Sequence, residues 1–331
     1  MALAGVSFLS GALISLATSW LLVTRLERVG ERLGISEALL GMVAALAADA
    51  PEITSSISAL SQHQFGIGVG VVVGSNVFNM AALLGLGAVV AGSIHLHRRV
   101  VVFAGVIALW FAGATVATST GAISPFVGLF FVGVVLAVYL TLMGLRDHQR
   151  RRLPLPPRWI SWLCGAIDDK ESELNESIRP VRGRPLDAAV AIVALVVVVV
   201  ASVVMEHGAA TLGHHFHVAD AIIGGVVLAA VTSLPNAVAG VYLAARGRAS
   251  AALSTALNSN NLNVFAGLLI PGAILGLAAP SRVGTVTAVS YLLLTALVVV
   301  VAYAKRGLGR SVGWLIIGLY ALFVVLVVAL A

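Results

Sequence analysis

Charge is scarce in this sequence: Asp, Glu, Lys and Arg make up only 10% of its 331 residues. Cysteine is nearly absent, with Cys164 alone, so neither an intrachain disulfide nor a cysteine-based metal centre can form. Three chemical signatures are missing as well. The chain has no G-x-x-x-x-G-K-[ST] loop to cradle nucleotide phosphates, no H-E-x-x-H pair to hold zinc, and no EF-hand spacing. ATP-driven pumping and intramembrane zinc hydrolysis therefore have no support. An aspartyl hydrolase needs two facing aspartates, and Asp220 lies too near the end of an apolar run to partner Asp49. The chain reads as a non-enzyme that needs no cofactor.

What is abundant is apolar: 60% of the residues are hydrophobic and the mean hydropathy is +1.04. This composition is that of an integral membrane protein. Runs near the length that crosses a bilayer fall at about 3–24, 36–60, 68–92, 100–118, 123–143, 186–205, 218–243, 250–278, 283–303 and 311–331. The expected fold is all-α, with ten transmembrane helices in a multi-pass protein of the cell (inner) membrane. The first run is followed directly by "TRLERVGERLG" with no small-residue cleavage pattern, so it is expected to be a retained helix and not a signal peptide.

The positive charges fall almost entirely on one side. Arg25, Arg28 and Arg32, Arg98 and Arg99, the basic residues of the central segment, Arg246 and Arg248, and Lys305, Arg306 and Arg310 all lie in alternate loops. Of the 20 basic residues only Arg282 falls on the opposite side. The positive-inside rule then predicts both termini outside the cytoplasm. It also accounts for the net charge of +6 without any nucleic-acid partner; the partners expected are the lipid bilayer and small inorganic cations. Oligomeric state is not legible.

Sliding the chain on itself by 184 residues aligns Pro51 with Pro235 and "GSNVFN" (74–79) with "NSNNLN" (258–263). Gly41/Gly225, Ser75/Ser259, Asn76/Asn260 and Asn79/Asn263 coincide too. The uncharged "SQHQF" loop of the first copy corresponds to the basic "ARGRA" loop of the second, so the two copies are expected to be inverted in the membrane. The predicted organisation is a first five-helix repeat over 1–143, a charged cytoplasmic linker over 144–185 and a second, inverted five-helix repeat over 186–331. Inverted repeats are a transporter architecture with the site near the midplane.

Within that frame "AADAPE" is the sharpest signal. A charged side chain at mid-span costs about 3 kcal/mol or more, yet Asp49 and Glu52 stand three residues apart, on one helix face. Like charges so close titrate as a coupled pair unless a cation neutralises them. Pro51 and Pro235 are expected to interrupt their helices, freeing carbonyls such as those of Ala45, Ala48, Ala229 and Thr232 to face a cation. Around the carboxylates, Ser55, Ser75, Asn76, Asn79, Thr232, Ser233, Asn236, Ser259, Asn260 and Asn263 offer neutral oxygens. An all-oxygen shell suits Ca²⁺ or Na⁺ and not zinc or copper. For any single Ser or Asn, a hydrogen bond between helices is the plainer role.

With these residues in view, the chain resembles the calcium/cation antiporter superfamily, the sodium/calcium exchangers and their prokaryotic relatives. Each inverted repeat of that family carries G-T-S-x-P-E on one helix and G-S-N-x-F-N on the next; "AADAPE" with "GSNVFN" and "VTSLPN" with "NSNNLN" take those places here. The resemblance implies cation coordination by Glu52, Ser75 and Asn79 from the first half and by Ser233, Asn236, Ser259 and Asn263 from the second. It also implies alternating access, with the first and sixth helices sliding against the rest. Two of the departures from the pattern change its charge. Asn236 stands where the family's second acidic residue would be, and Asp49 where the family usually has Ser, as if charge had moved between halves.

The expected function is secondary active antiport of Ca²⁺ against Na⁺ or H⁺ at a site containing Asp49, Glu52, Ser75, Asn79, Thr232, Ser233, Asn236, Ser259 and Asn263. Na⁺/H⁺ exchange on the same fold is the alternative, and a channel would differ by flux independent of a counter-ion. His207, His214, His215 and His217 are enough imidazoles for an accessory metal site or pH sensor, though a loop that happens to contain histidines is the plainer explanation. "RWISWLCGAI" (158–167) suits a segment at the membrane surface, and the acidic "DDKESELNE" after it reads as a solvated linker.

Overall fold

Apolar runs in hydrocarbon become helices because every backbone N–H and C=O must be satisfied within the segment. The computed structural model describes residues 1–33, 37–145, 147–175, 184–245 and 249–331. Arg146, Glu176, Arg179, Arg182, Arg246 and Arg248 lie outside the described residues. The first half runs α1 (Ala2–Leu33), α2 (Glu37–Ala48), α3 (Ala50–Ser61), α4 (Phe65–Asn79), a π-helical stretch (Met80–Leu86), α5 (Gly87–Ala91), strand β1 (Ser93–His95), α6 (Arg98–Ser119) and α7 (Pro125–Gly144). Two further helices follow, α8 (Asp147–Arg150) and α9 (Pro157–Asn175). The rest comprises α10 (Pro185–His215), α11 (Asp220–Ile222), a π-helical stretch (Ile223–Leu228), α12 (Ala229–Thr232), α13 (Leu234–Ala245), α14 (Ala249–Leu262), a third π-helical stretch (Asn263–Leu269), α15 (Ile270–Leu275), α16 (Arg282–Lys305), strand β2 (Gly307–Gly309) and α17 (Arg310–Leu330). The strands pair antiparallel, Ser93 opposite Gly309.

Among the described residues, seven helical stretches are long and apolar enough to cross a membrane, and α11 to α13, bent by 48°, makes an eighth. The protein is an integral, multi-pass membrane protein. The expected spans 36–60 and 250–278 do not meet that measure among the described residues. The first is broken into two 12-residue helices at Asp49, and the second carries Asn258, Ser259, Asn260, Asn261 and Asn263 at its centre.

Burial sorts the helices into centre and periphery. The stretch Phe65–Ala91 has 83% of its apolar window buried, whereas Ala2–Gly30, Pro125–Gly144 and Arg310–Leu330 have 28%. Glycine explains why α4 sits at the centre. A Cβ on Gly70 would lie 2.7 Å from the Gly225 nitrogen, and one on Gly74 would collide with the Gly225 backbone. Small residues let two backbones touch where no side chain fits between. The long helices α1 and α10 pack in the same way: a Cβ on Gly11 would come within 2.7 Å of the Met205 nitrogen, and Ser15 and Ser202 share a 2.8 Å hydrogen bond. Helix α9 buries Leu163, Cys164, Ala166 and Ile167 while Trp159 stays 56% exposed, as suits an amphipathic segment at the bundle surface.

Candidate cation site

The helix breaks fall at Asp49, between α2 and α3, and at Ser233, between α12 and α13. These positions are 184 residues apart, the spacing of the repeat. Pro51 and Pro235 occupy the second residue of α3 and α13, in the first turn where a missing N–H costs least. The carbonyl that Pro51 leaves without its helical donor is that of Ala47, and the Ser19 hydroxyl donates to it at 3.3 Å. Two of the carbonyls expected to be freed, those of Ala45 and Ala229, accept a main-chain N–H instead. Ala45 accepts the Asp49 N–H at 2.9 Å and Ala229 the Ser233 N–H at 3.3 Å, while Ala48 faces the Ser19 hydroxyl at 3.5 Å. Side chains supply free oxygens here.

Asp49 and Glu52 are fully buried, and residues far away in sequence converge on them. Asn236 Nδ2 donates to Asp49 Oδ1 at 2.7 Å and approaches Glu52 Oε1 at 3.4 Å. The Ser259 hydroxyl donates to Asp49 Oδ1 at 2.6 Å, and the Ser233 hydroxyl to Glu52 Oε1 at 3.0 Å. Asn79 Nδ2 reaches Ser259 Oγ at 3.3 Å and Asn260 Oδ1 at 3.1 Å. Asn76 and Asn260 form a reciprocal clasp, each side-chain amide donating to the other's main-chain carbonyl, at 3.2 and 3.1 Å. Asn263 joins through Asn76, at 3.3 Å. One hydrogen-bonded cluster thus unites Asp49, Glu52, Asn79, Ser233, Asn236, Ser259 and Asn263.

Ser75 and Thr232 are buried nearby but donate into their own helices, Ser75 to the Val71 carbonyl and Thr232 to the Leu228 carbonyl at 2.9 Å. Their hydroxyl oxygens can still accept or ligate. Among the described residues, Asp49 Oδ2, Glu52 Oε2, Ser55 Oγ, Asn79 Oδ1, Asn261 Oδ1 and Asn263 Oδ1 are buried without a hydrogen-bond partner. Among the described residues no Arg, Lys or His pairs with either carboxylate. Buried carboxylates without a cationic partner are costly, and a donor set of oxygens alone fits a hard cation. π-helical turns begin at Met80 and at Asn263, next to the site in both halves; such widened turns recur at functional sites.

A profile of the family described as "Sodium/calcium exchanger protein" matches residues 3–144 and 186–329. The chain belongs to that family. A candidate antiporter, CaxA of Alkalimonas amylolytica, is 26% identical over 77% of this chain and 76% of its own length. The membrane protein MJ0091 of Methanocaldococcus jannaschii is 24% identical over 95% of this chain and 94% of its own. The solved sodium-calcium exchanger NCX_Mj, soaked with 10 mM Na⁺ and zero Ca²⁺, matches in fold with a TM-score of 0.60, at 20% identity and 98% coverage of both chains.

One buried acidic residue of this sodium/calcium exchanger family member escaped the sequence reading. Glu206 in α10 is fully buried, accepting from the Ser58 hydroxyl at 2.8 Å and from Gln62 Nε2 at 3.2 Å, with His207 Nδ1 at 3.2 Å. The expected span 186–205 stopped one residue short of it, and the segment from Glu206 read as a loop belongs to α10 as far as His215. The histidines do not assemble a metal site. His214 pairs with Asp220 at 3.2 Å, and no three His, Cys, Asp or Glu side chains gather among the described residues.

Proposed function

We propose that the protein is a secondary active antiporter that exchanges Ca²⁺ for Na⁺ or H⁺ at the Asp49–Glu52 site. The observation that carries this reading is a pair of buried carboxylates with an unpaired oxygen each, among amide and hydroxyl oxygens, with no basic partner among the described residues. Two like unit charges 4 Å apart repel by about 4 kcal/mol at an effective dielectric of ~20, so the pair needs either a cation or protons. Competition between the two at one site is the elementary condition for exchange. Membership of the exchanger family and the NCX_Mj-like fold support the reading.

Ten helices as two inverted repeats, 1–143 and 186–331 around the 144–185 linker, form the proposed frame. The two shorter helical stretches, α2–α3 and α14–α15, complete it as spans whose polar centres face protein. Alternating access exposes the site to each side in turn, with α1 and α10 moving together along the remainder. Their glycine-lined contact, the Ser15–Ser202 hydrogen bond and the Arg25–Asp187 ion pair at 2.6 Å suit a pair that travels as one unit. Both termini lie outside the cytoplasm of the cell membrane in this frame.

The test is calcium uptake into proteoliposomes holding a trapped indicator, driven in parallel by outward Na⁺ and outward H⁺ gradients. Uptake under either gradient is expected and names the counter-ion. Failure under both, with Na⁺-driven proton flux in the same vesicles, would replace calcium exchange by monovalent exchange.

A further inference from the structure

At one end of the bundle α6 begins where α16 finishes, and α9 packs against α6. Between them lies an open groove of about 650 Å³ lined by Arg98, Arg99, Arg158, Trp159, Trp162 and Tyr303. Two of the arginines are held in place. Arg98 Nε donates to the Tyr303 carbonyl at 3.2 Å, and its guanidinium sits 5.0 Å from the Tyr303 ring centre. The Arg99 guanidinium rests on Gly165 of α9, where any Cβ would collide with it. Yet among the described residues none of the three has a carboxylate within ion-pair distance. Three guanidiniums gathered with no ion-paired carboxylate among the described residues make a site for an anion, and their planar forks match phosphate oxygens.

The surroundings select the kind of phosphate. The groove includes Val102, and Val106 and Trp110 continue the same face of α6 at helical spacing, 62% and 49% exposed. On α16, which packs against α6, Val300 and Leu293 are 62% and 63% exposed. An apolar track therefore leads from the cationic groove along two membrane helices. Trp and Tyr at the groove sit as they do at headgroup level in membranes, and basic pockets at helix ends are places where acidic headgroups dock. We propose that this groove binds the phosphodiester headgroup of an anionic phospholipid, with its acyl chains lying on the exposed faces of α6 and α16. A free phosphate would use the guanidiniums but leave the track without purpose.

The experiment reconstitutes the full-length protein in phosphatidylcholine doped with phosphatidylglycerol, re-extracts it and counts retained lipids by native mass spectrometry. Wild type is expected to retain phosphatidylglycerol over phosphatidylcholine, and Arg98→Gln/Arg99→Gln/Arg158→Gln to lower that retention about tenfold or more. If the triple variant does not fold, Arg158→Gln alone, judged folded by its melting curve, is expected to lower it about threefold or more. Excess inorganic phosphate should leave the retained lipid in place. Equal retention by wild type and folded variant, or no preference over phosphatidylcholine, overturns the proposal. Displacement of the lipid by inorganic phosphate reassigns the groove to a soluble anion and overturns it equally.

Discussion

Asp49 and Asn236 are direct partners, 2.7 Å apart, although they come from different halves of the chain. They are also the two positions at which the chain departs from the exchanger pattern in charge. Moving the carboxylate from 236 to 49 therefore displaces charge only across one hydrogen bond, and the cluster keeps two acids. Asp49→Ser combined with Asn236→Glu is expected to recover most of the calcium flux that Asp49→Ser alone loses; no recovery would show that position 49 acts by more than its charge. Asp49→Asn keeps the shape and the acceptor oxygen for Asn236 and Ser259 while removing one of two buried like charges. Its melting temperature in calcium-free buffer is expected to equal or exceed that of wild type. Ligand at 100 times its dissociation constant stabilises a protein by about 2.7 kcal/mol, so wild type should gain such an increment from Ca²⁺ and Asp49→Asn should lose most of it. Parallel thermal denaturation curves with and without Ca²⁺ measure both effects.

Helices place these residues by being interrupted and by touching closely. Because Pro51 cannot donate to Ala47, the Ser19 hydroxyl of α1 takes that carbonyl, and a contact between elements replaces a bond within one. Pro51→Ala restores the N–H and is expected to slow exchange while leaving the fold intact; unchanged flux would separate the proline from transport. The crossing of α4 over Gly224 and Gly225 is less tolerant. Gly74→Ala pushes a methyl group into the Gly225 backbone and is expected to destabilise by about 1–3 kcal/mol. Gly113→Ala is the control: a Cβ there meets nothing within 4 Å, and replacing a helical glycine by alanine stabilises by up to about 1 kcal/mol. Melting temperatures of the two variants should move in opposite directions.

On the scale of the whole molecule, orientation can be mapped directly, since Cys164 is 2% exposed and adds little background to single-cysteine labelling. A cysteine beside either terminus is expected to react with an impermeant thiol reagent from outside the cell; labelling only after lysis would reverse the proposed topology. Membrane residence, helical class and the Asp49–Pro51–Glu52 focus were legible without coordinates, because hydropathy and the cost of buried charge are properties of residue type. The recurrence of Pro, Ser and Asn at one spacing marked most of the cluster for the same reason. Partnership was not legible. That Asn236 answers Asp49, that Asn76 and Asn260 clasp each other, and that Ser75 and Thr232 turn into their own helices depend on which helix faces which. Glu206 and the arginine groove joining α6, α9 and α16 are likewise products of packing. Sequence by itself determined which side chains had to be kept from lipid, because that penalty is local; tertiary structure alone decided what each of them meets, because a hydrogen bond exists only between groups brought within about 3 Å.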